Sequence, residues 1–299
     1  MRIIAVDIGG TSIKAGEVVD GELLSFAEQD TDAKNGAGFV MARVTRIISE
    51  YGNFDAIGIS TAGQVDSTQG VIRFANDNIP GYTGMKVKAL LEEKFHVPVA
   101  VENDVNSAAL GEAHCGAGRE WDDFICITYG TGIGGAIILD KKVYKGSAFS
   151  AAEFGHIVTH GNGRQCKCGL YGCYEQYAST GALVRSAMKA DPRLSSGRLI
   201  FSRLDEPQVR AVVDEWIKEI MYGLASIIHI FNPSNIVLGG GIMNEQYIIE
   251  KIRSSIHHYI MSSYTNVKIS QARLGNQAGL LGAAYLAGQA GQYPPEVRQ

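Results

Sequence analysis

A length of 299 residues, with 45% hydrophobic and 19% charged residues, suits two soluble globular domains of similar size and gives ample capacity to bury a core. A formal net charge of -4 gives no electrostatic case for nucleic acid or a membrane surface as partner. The N-terminal M-R-I-I-A-V-D meets an acid after four apolar residues, and no run approaches the roughly 18 residues of a membrane span, so neither a signal peptide nor an anchor is expected and the setting reads as cytoplasmic. In chain order, 3–7 is a short apolar run followed by G-G-T, and 12–19 mixes small, apolar and charged residues before Asp20-Gly21. This predicts two strands joined by a glycine turn and a third strand over 22–27, a β-meander. Helical spacing over 39–51, a short strand over 56–60 and a helix over 85–95 follow. A core strand over 97–101 ends at Glu102-Asn103-Asp104, after which a helix runs through Leu110.

The same order restarts at Phe124, with an apolar strand over 124–129, the turn G-T-G-I-G-G, a strand over 136–140 and a third beginning at 142–145. Further on come a long helix over 209–231, a strand over 235–238 closing in Gly239-Gly240-Gly241, a helix over 247–260, a strand over 267–270 and a last helix over 278–286. The tail from Gly288 is polar with paired prolines and is expected to fray. Two halves that each open with strand, glycine turn and strand, then alternate helix with strand, indicate an α/β protein built by internal duplication. Each half should carry a partly parallel sheet, with a cleft between the halves. The boundary is expected near residue 120, giving domains 1–120 and 121–299, with the last helix crossing back to the first.

Two glycine loops, D-I-G-G-T-S-I-K-A-G over 7–16 and Y-G-T-G-I-G-G over 129–135, let backbone N–H groups approach phosphate oxygens, with Thr11 and Thr131 adding hydroxyl donors. Either loop alone is equally well a hairpin turn satisfying positive φ. Equivalent places in a duplicated chain favour a shared ligand. Gly130, Gly132 and Gly135 also match G-x-G-x-x-G, but that fingerprint needs a helix directly after the turn, and 136–139 reads as a strand. No G-x-x-x-x-G-K-[ST] pattern is present, so a P-loop is excluded.

The segment 153–175 reads E-F-G-H, nine residues, then C-K-C-G-L-Y-G-C-Y-E. Thiolate and imidazole are ligands Zn²⁺ prefers, and His156, Cys166, Cys168 and Cys173 supply the four of a closed structural site. Disulfides fit poorly, because three cysteines are an odd number and nothing marks the chain as secreted; buried apolar thiols fit poorly in a loop rich in Gly and Lys. The ion is read as scaffold, leaving Glu153 and Glu175 held beside it with free carboxylates. Cys115 and Cys126, outside the cluster, read as simple core thiols. Asp104 follows a strand at the carboxyl end where ligands bind in open α/β sheets. It reads equally as a general base or as a cap of the following helix.

E-F-G-H followed by C-x-C-G-x-x-G-C-x-E resembles the signature of the ROK family of bacterial sugar kinases and sugar-responsive repressors, and the likeness extends along nearly the whole chain. It implies the duplicated actin-like ATPase (ribonuclease H-like) fold, with Zn²⁺ on His156, Cys166, Cys168 and Cys173. It further implies an ATP- and Mg²⁺-dependent kinase acting on the 6-hydroxyl of an aldohexose such as glucose or an N-acetylhexosamine. Asp104 of the E-N-D motif would be the base. Asn103, Glu153, His156 and Glu175 would bond sugar hydroxyls, with His156 serving zinc and sugar through its two ring nitrogens. Gly63 and Asn78 resemble further sugar-lining loops, although Ala62 replaces the usual Pro. By the same resemblance Asp7, Gly9, Gly10, Thr11, Lys14, Gly130, Thr131 and Gly132 meet the phosphates, Gly239, Gly240 and Gly241 border the adenosine, and Asp7 holds Mg²⁺ through water. Ala152 stands where the family often has Gly, a change expected to matter little.

A homodimer is expected by analogy alone. Two rival classes remain in view. A sugar-responsive repressor of the same family would carry a helix-turn-helix domain ahead of the core, whereas the first strand here starts at residue 3. A catalytically dead sugar-binding module is disfavoured by the presence of both loops and Asp104. Glucose, N-acetylmannosamine, N-acetylglucosamine and β-glucosides all stay open as acceptors.

Overall fold

The computed structural model describes residues 1–264 and 266–292. The chain begins with β1 (Arg2–Ile8), β2 (Ser12–Val19) and β3 (Glu22–Asp30), then α1 (Ala37–Ser49), β4 (Ala56–Thr61), a hairpin of β5 (Gln64–Asp66) and β6 (Val71–Phe74), α2 (Val87–Phe95), β7 (Val99–Asn103) and α3 (Asp104–Cys115). It continues with β8 (Phe124–Tyr129), β9 (Ile133–Leu139), β10 (Lys142–Val143), α4 (Glu175–Ala178), α5 (Thr180–Ala190), α6 (Gly197–Phe201), α7 (Pro207–Phe231), β11 (Asn235–Gly239), α8 (Gln246–Ser255), β12 (Lys268–Gln271) and α9 (Ala278–Gln292). The predicted tail from Gly288 is thus helical as far as Gln292, and the rest of it lies outside the described residues. The β5–β6 hairpin, α4, α5 and α6 have no counterpart in the sequence reading; the hairpin, α4 and α6 are too short for periodicity to register, whereas α5 at 11 residues is long enough and is missed. Among the described residues no helix is long and apolar enough to cross a membrane.

Two compact units result. The first comprises Met1–Glu120, Lys141–Ala151 and the described residues from Asn276 on; the second comprises Trp121–Asp140 and Ala152–Gly275. A single boundary near residue 120 therefore misplaces the segment Lys141–Ala151. Two of its three lysines explain why: Lys141 donates to the carbonyls of Ala113 and Arg119, and Lys145 reaches buried Glu102, anchoring the segment to the first unit.

In the first unit the strands run β3-β2-β1-β4-β7. β1 pairs antiparallel with β2 and parallel with β4, and β4 pairs parallel with β7. Strands covered on both faces lose the polar alternation of a half-exposed sheet, and β4 accordingly is buried at every position. Ile4, Val6, Ile57, Ile59, Val99 and Val101 form its core with the inner stripe of α1. α9 packs on α3 and on β1 and β4. That approach is possible because a β-carbon at Gly282 would stand 1.7 Å from the Ser107 carbonyl oxygen. Register then fixes function: Asp7 lies opposite Ser60, Ser60 opposite Glu102 and Thr61 opposite Asn103, so the polar ends of three parallel strands converge at one edge.

In the second unit the strands run β9-β8-β11-β12. β8 pairs antiparallel with β9 and parallel with β11, and β11 parallel with β12, which repeats the pairing of the first unit. α7 starts with Pro207 at its first turn and ends at Asn232, left-handed at φ 44°, a start and stop that those residue types favour. Its apolar stripe from Val213 through Ile228 fills the core, and Trp216 Nε1 donates to the Ala178 carbonyl at 3.0 Å. Cys126 is buried as expected of a core thiol, but Cys115, at the end of α3, is exposed.

Candidate active site

Asp104 opens α3, but the cap of that helix is Asn103, whose side-chain oxygen accepts from the backbone N–H groups of Val105 and Asn106. Asn103 Nδ2 donates to the Gly63 carbonyl at 2.9 Å and to Asp104 Oδ1 at 2.8 Å. Both donors and the acceptor of this amide are thereby engaged within the protein, so it holds the Gly63 loop and the Asp104 carboxylate in place. Asn103 is thus the main cap, and Asp104 Oδ1 shares the Val105 N–H with it at 2.9 Å. Desolvation first, and the negative charge of Asp7 second, push the Asp104 carboxyl up to about 6, against the lowering effect of the Val105 N–H and the Asn103 amide. Burial and a like charge both disfavour the ionised form.

Asp7 ends the apolar run of β1. Ser60 Oγ donates to its Oδ1 at 2.6 Å, and Lys14 Nζ stands 3.7 Å from Oδ2. The Gly9–Thr11 turn is clamped by Thr31, whose hydroxyl donates to the Gly9 carbonyl at 2.7 Å and whose N–H donates to the Thr11 carbonyl at 2.9 Å. Thr31 and Ser60 are residues at this site that sequence reasoning did not single out; Thr31 belongs to no motif, Ser60 opens the S-T-A-G-Q-V-D stretch that carries Gly63, and strand register brings both to the loop. Gly10, Thr11, Asp77 and Asn78 line a groove of about 810 Å³ together with Asp30 and Asp32, so the first glycine loop and Asn78 share one surface.

The second unit presents its own loop. Gly130 and Thr131 are exposed, and the turn is fixed by a Gly130 N–H to Gly132 carbonyl bond of 2.9 Å and by the Thr180 N–H, which donates to the Gly130 carbonyl at 2.9 Å. Gly240, at φ +96°, abuts it; a β-carbon there would stand 2.2 Å from the Tyr129 carbonyl oxygen. Gly239–Gly241 and Gly130–Gly132 therefore adjoin in one glycine-lined patch. β9 begins at Ile133, so part of the predicted glycine turn is already strand, and no helix follows, as the rejection of a dinucleotide fingerprint requires.

The Ile133 N–H donates to Glu175 Oε2 at 3.0 Å, so Glu175 is tied to this loop and only its other oxygen stays available. Glu153 is exposed. Between them the chain forms a short 3₁₀ turn over Phe154–His156, with Phe154 buried against β9. Residue Ala152, just before, is left-handed at φ 64°, which is why glycine suits that position and why alanine there carries strain.

His156, Cys166, Cys168 and Cys173 bring one ligand atom each within 4.8 Å of one another. Cys168 and Cys173 Sγ lie 3.6 Å apart, and Cys166 Sγ lies 3.7 Å from His156 Nδ1. Four donors around Zn²⁺ at about 2.3 Å would be spaced by about 3.8 Å on a tetrahedron, so the residues fit the ion. The cysteines are unpaired by disulfides. The spacing assigns Nδ1 to the metal side and leaves His156 Nε2 for another partner. Below the cluster, the hydroxyls of Tyr129 and Tyr174 bond at 2.8 Å, and Tyr174 donates to the Ile220 carbonyl at 2.9 Å, fixing the zinc segment to β8 and α7.

A repeated meander with parallel strands, each with a glycine loop after its first strand, is the duplicated fold of the actin-like ATPases. Within that class the chain belongs to the ROK family, whose model matches residues 3–290. A solved ROK family glucokinase from Streptomyces griseus in complex with glucose and AMPPNP is 36% identical, with a TM-score of 0.85 over 97% of this chain and 100% of that one. A glucokinase of Thermotoga maritima is 31% identical over 306 residues, 95% of this chain and 96% of its own. A β-glucoside kinase of Klebsiella pneumoniae is 32% identical over 304 residues, covering 100% of both.

Proposed function

We propose that the protein is an ATP-dependent sugar kinase that moves the γ-phosphate to the 6-hydroxyl of an aldohexose, with Asp104 as general base. The observation that carries this reading is the Asp104 carboxylate, placed at the strand end beside the helix cap Asn103 and held by burial and Asp7 at about 6. A base near neutrality accepts a hydroxyl proton while remaining largely ionised at pH 7. Phosphoryl transfer through a loose transition state asks for positioning and charge neutralisation more than covalent chemistry. In this reading the loops Gly9–Thr11 and Gly130–Gly132 bind phosphate oxygens, the Gly9 and Gly130 N–H groups closing the turns themselves, Lys14 adds positive charge, and Gly239–Gly241 lie against the adenosine. Asp7 would hold the Mg²⁺ that ATP carries, a role suited to a carboxylate.

Glu153, the available oxygen of Glu175, His156 Nε2, Gly63 and Asn78 take sugar hydroxyls, where unpaired groups would penalise a wrong epimer. Zn²⁺ on the three cysteines and His156 would supply rigidity to 153–175 and no reacting group. Asn103 acts by orienting Asp104. The names of the relatives support glucose and β-glucosides as acceptor classes, with N-acetylhexosamines as the third to test. The experiment is ATP-dependent ADP release across hexoses, N-acetylhexosamines and β-glucosides, with Asp104→Asn as control. One acceptor standing out by kcat/KM, with Asp104→Asn inactive but still binding it, is the expected result. Retained turnover in Asp104→Asn, or silence across the panel, would refute the reading.

A further inference from the structure

Glu102 is 1% exposed. Its Oε1 accepts from the Asn103 N–H at 2.9 Å and from Asn106 Nδ2 at 3.0 Å, while its Oε2 has no hydrogen-bond partner among the described residues and faces Lys145 Nζ at 3.2 Å as an ion pair. A buried carboxylate survives as an ion only beside a compensating charge, and Lys145 is the cation opposite it. The same ammonium group donates to Ser67 Oγ at 2.5 Å. Ser67 lies in the turn between β5 and β6, directly after the segment that holds Gly63. Lys145 thus joins three pieces of the first unit that are far apart in sequence: the Lys141–Ala151 segment, the β5–β6 turn and the E-N-D strand end. From Glu102 the connection passes through the Asn103 backbone to an amide bonded to both Gly63 and Asp104.

We infer that the Lys145–Glu102 ion pair is a positioning device for the acceptor base, locking Asn103 and the Asp104 carboxylate through the buried end of β7. This deepens the kinase reading and rests on it for its catalytic consequence. Neither residue touches the reacting atoms. Removing the ammonium strands a negative charge beneath a site that already holds Asp7 and Asp104, and frees the β5–β6 turn from the strand end. The loss should therefore fall on turnover, because small misplacements of a reacting group are costly while the hydroxyl-binding groups of the second unit are untouched.

The test compares Lys145→Met, Lys145→Arg, Glu102→Gln and the Lys145→Met/Glu102→Gln double variant in the full-length, zinc-replete protein. Lys145→Met should lower kcat about tenfold or more with the sugar KM within about twofold, whereas Lys145→Arg should stay within about threefold of the parent. Adding Glu102→Gln to Lys145→Met should recover part of the loss, since it removes the stranded charge, so the two effects are not additive. Backbone hydrogen exchange at residues 103–106 should quicken in Lys145→Met and not in Lys145→Arg. That readout needs no turnover, so an inactive parent would sink the kinase reading while exchange still judged the anchor. Unchanged kcat and exchange in Lys145→Met, or equal losses in Met and Arg variants, would overturn the inference.

Discussion

Asp104→Asn tests the site through stability as well as activity. The substitution keeps an oxygen to accept from Val105 N–H and Asn103 Nδ2, both now bonded to Asp104 Oδ1, while it removes the charge and turns the second oxygen into an NH2 donor. The Asp104 pKa is raised from 3.8 to about 6, and a raised carboxylate pKa means the ionised form opposes folding. The native chain binds more protons than the unfolded chain between these values, so wild-type stability falls as pH rises through that window. The penalty is fully present above pH 6 and absent below 3.8. With 1.36 kcal/mol per unit, it amounts to about 3 kcal/mol at pH 8 and about half of that at pH 5.

Asparagine escapes this penalty, so Asp104→Asn should be more stable than wild type by up to about 3 kcal/mol at pH 8, with the advantage roughly halved at pH 5. Urea denaturation of both proteins at the two pH values measures it through the shift in midpoint at constant m. A variant no more stable than wild type at pH 8, or an advantage that does not shrink by pH 5, would refute the placement of a strained, charged base at this position. A stabilised and inactive variant would show that the site holds its base at the expense of folding free energy.

Chelation of zinc should lower the melting temperature and weaken sugar binding together, because His156, Cys166, Cys168 and Cys173 fix the segment that carries Glu153 and Glu175; calorimetry and sugar titration before and after chelation check it, and loss of one effect without the other would contradict the coupling. Ala152→Gly should stabilise the protein by up to about 1 kcal/mol, the relief of a left-handed alanine less the greater freedom of glycine in the unfolded chain, as read by denaturant midpoint. An unchanged or lower midpoint would mean that φ 64° at this residue stores no strain.

Local spacing carried much of this protein into view. The glycine turns after 3–7 and 124–129 are legible because residues three to five apart decide a hairpin, and the duplication is legible because the order of apolar strand, glycine turn and second strand occurs twice. The zinc ligands are legible because three of the four ligands fall within eight residues, a spacing that chemistry alone makes meaningful. Asp104 is legible as a candidate, but not as a base rather than a cap, since both readings rest on the same strand-to-helix junction. What the sequence lacks is that Asn103 Oδ1 accepts from the helix N–H groups and that the Asp7 charge raises the Asp104 carboxyl, and the proposed role as base rests on both.

Tertiary structure decided where the segment 141–151 belongs, that Glu175 is half committed to the Ile133 N–H, and that Ala152 sits in a conformation glycine prefers. Thr31 on Gly9, Ser60 on Asp7 and Lys145 on Glu102 are partners separated by 22 to 53 residues and, for lysine, by the whole run from β7 to β10. No periodicity encodes such pairs. Sequence sets which backbone conformations and ligand chemistries are available within a turn of chain, whereas the charge environment of a carboxylate depends on which distant strand ends the register brings together.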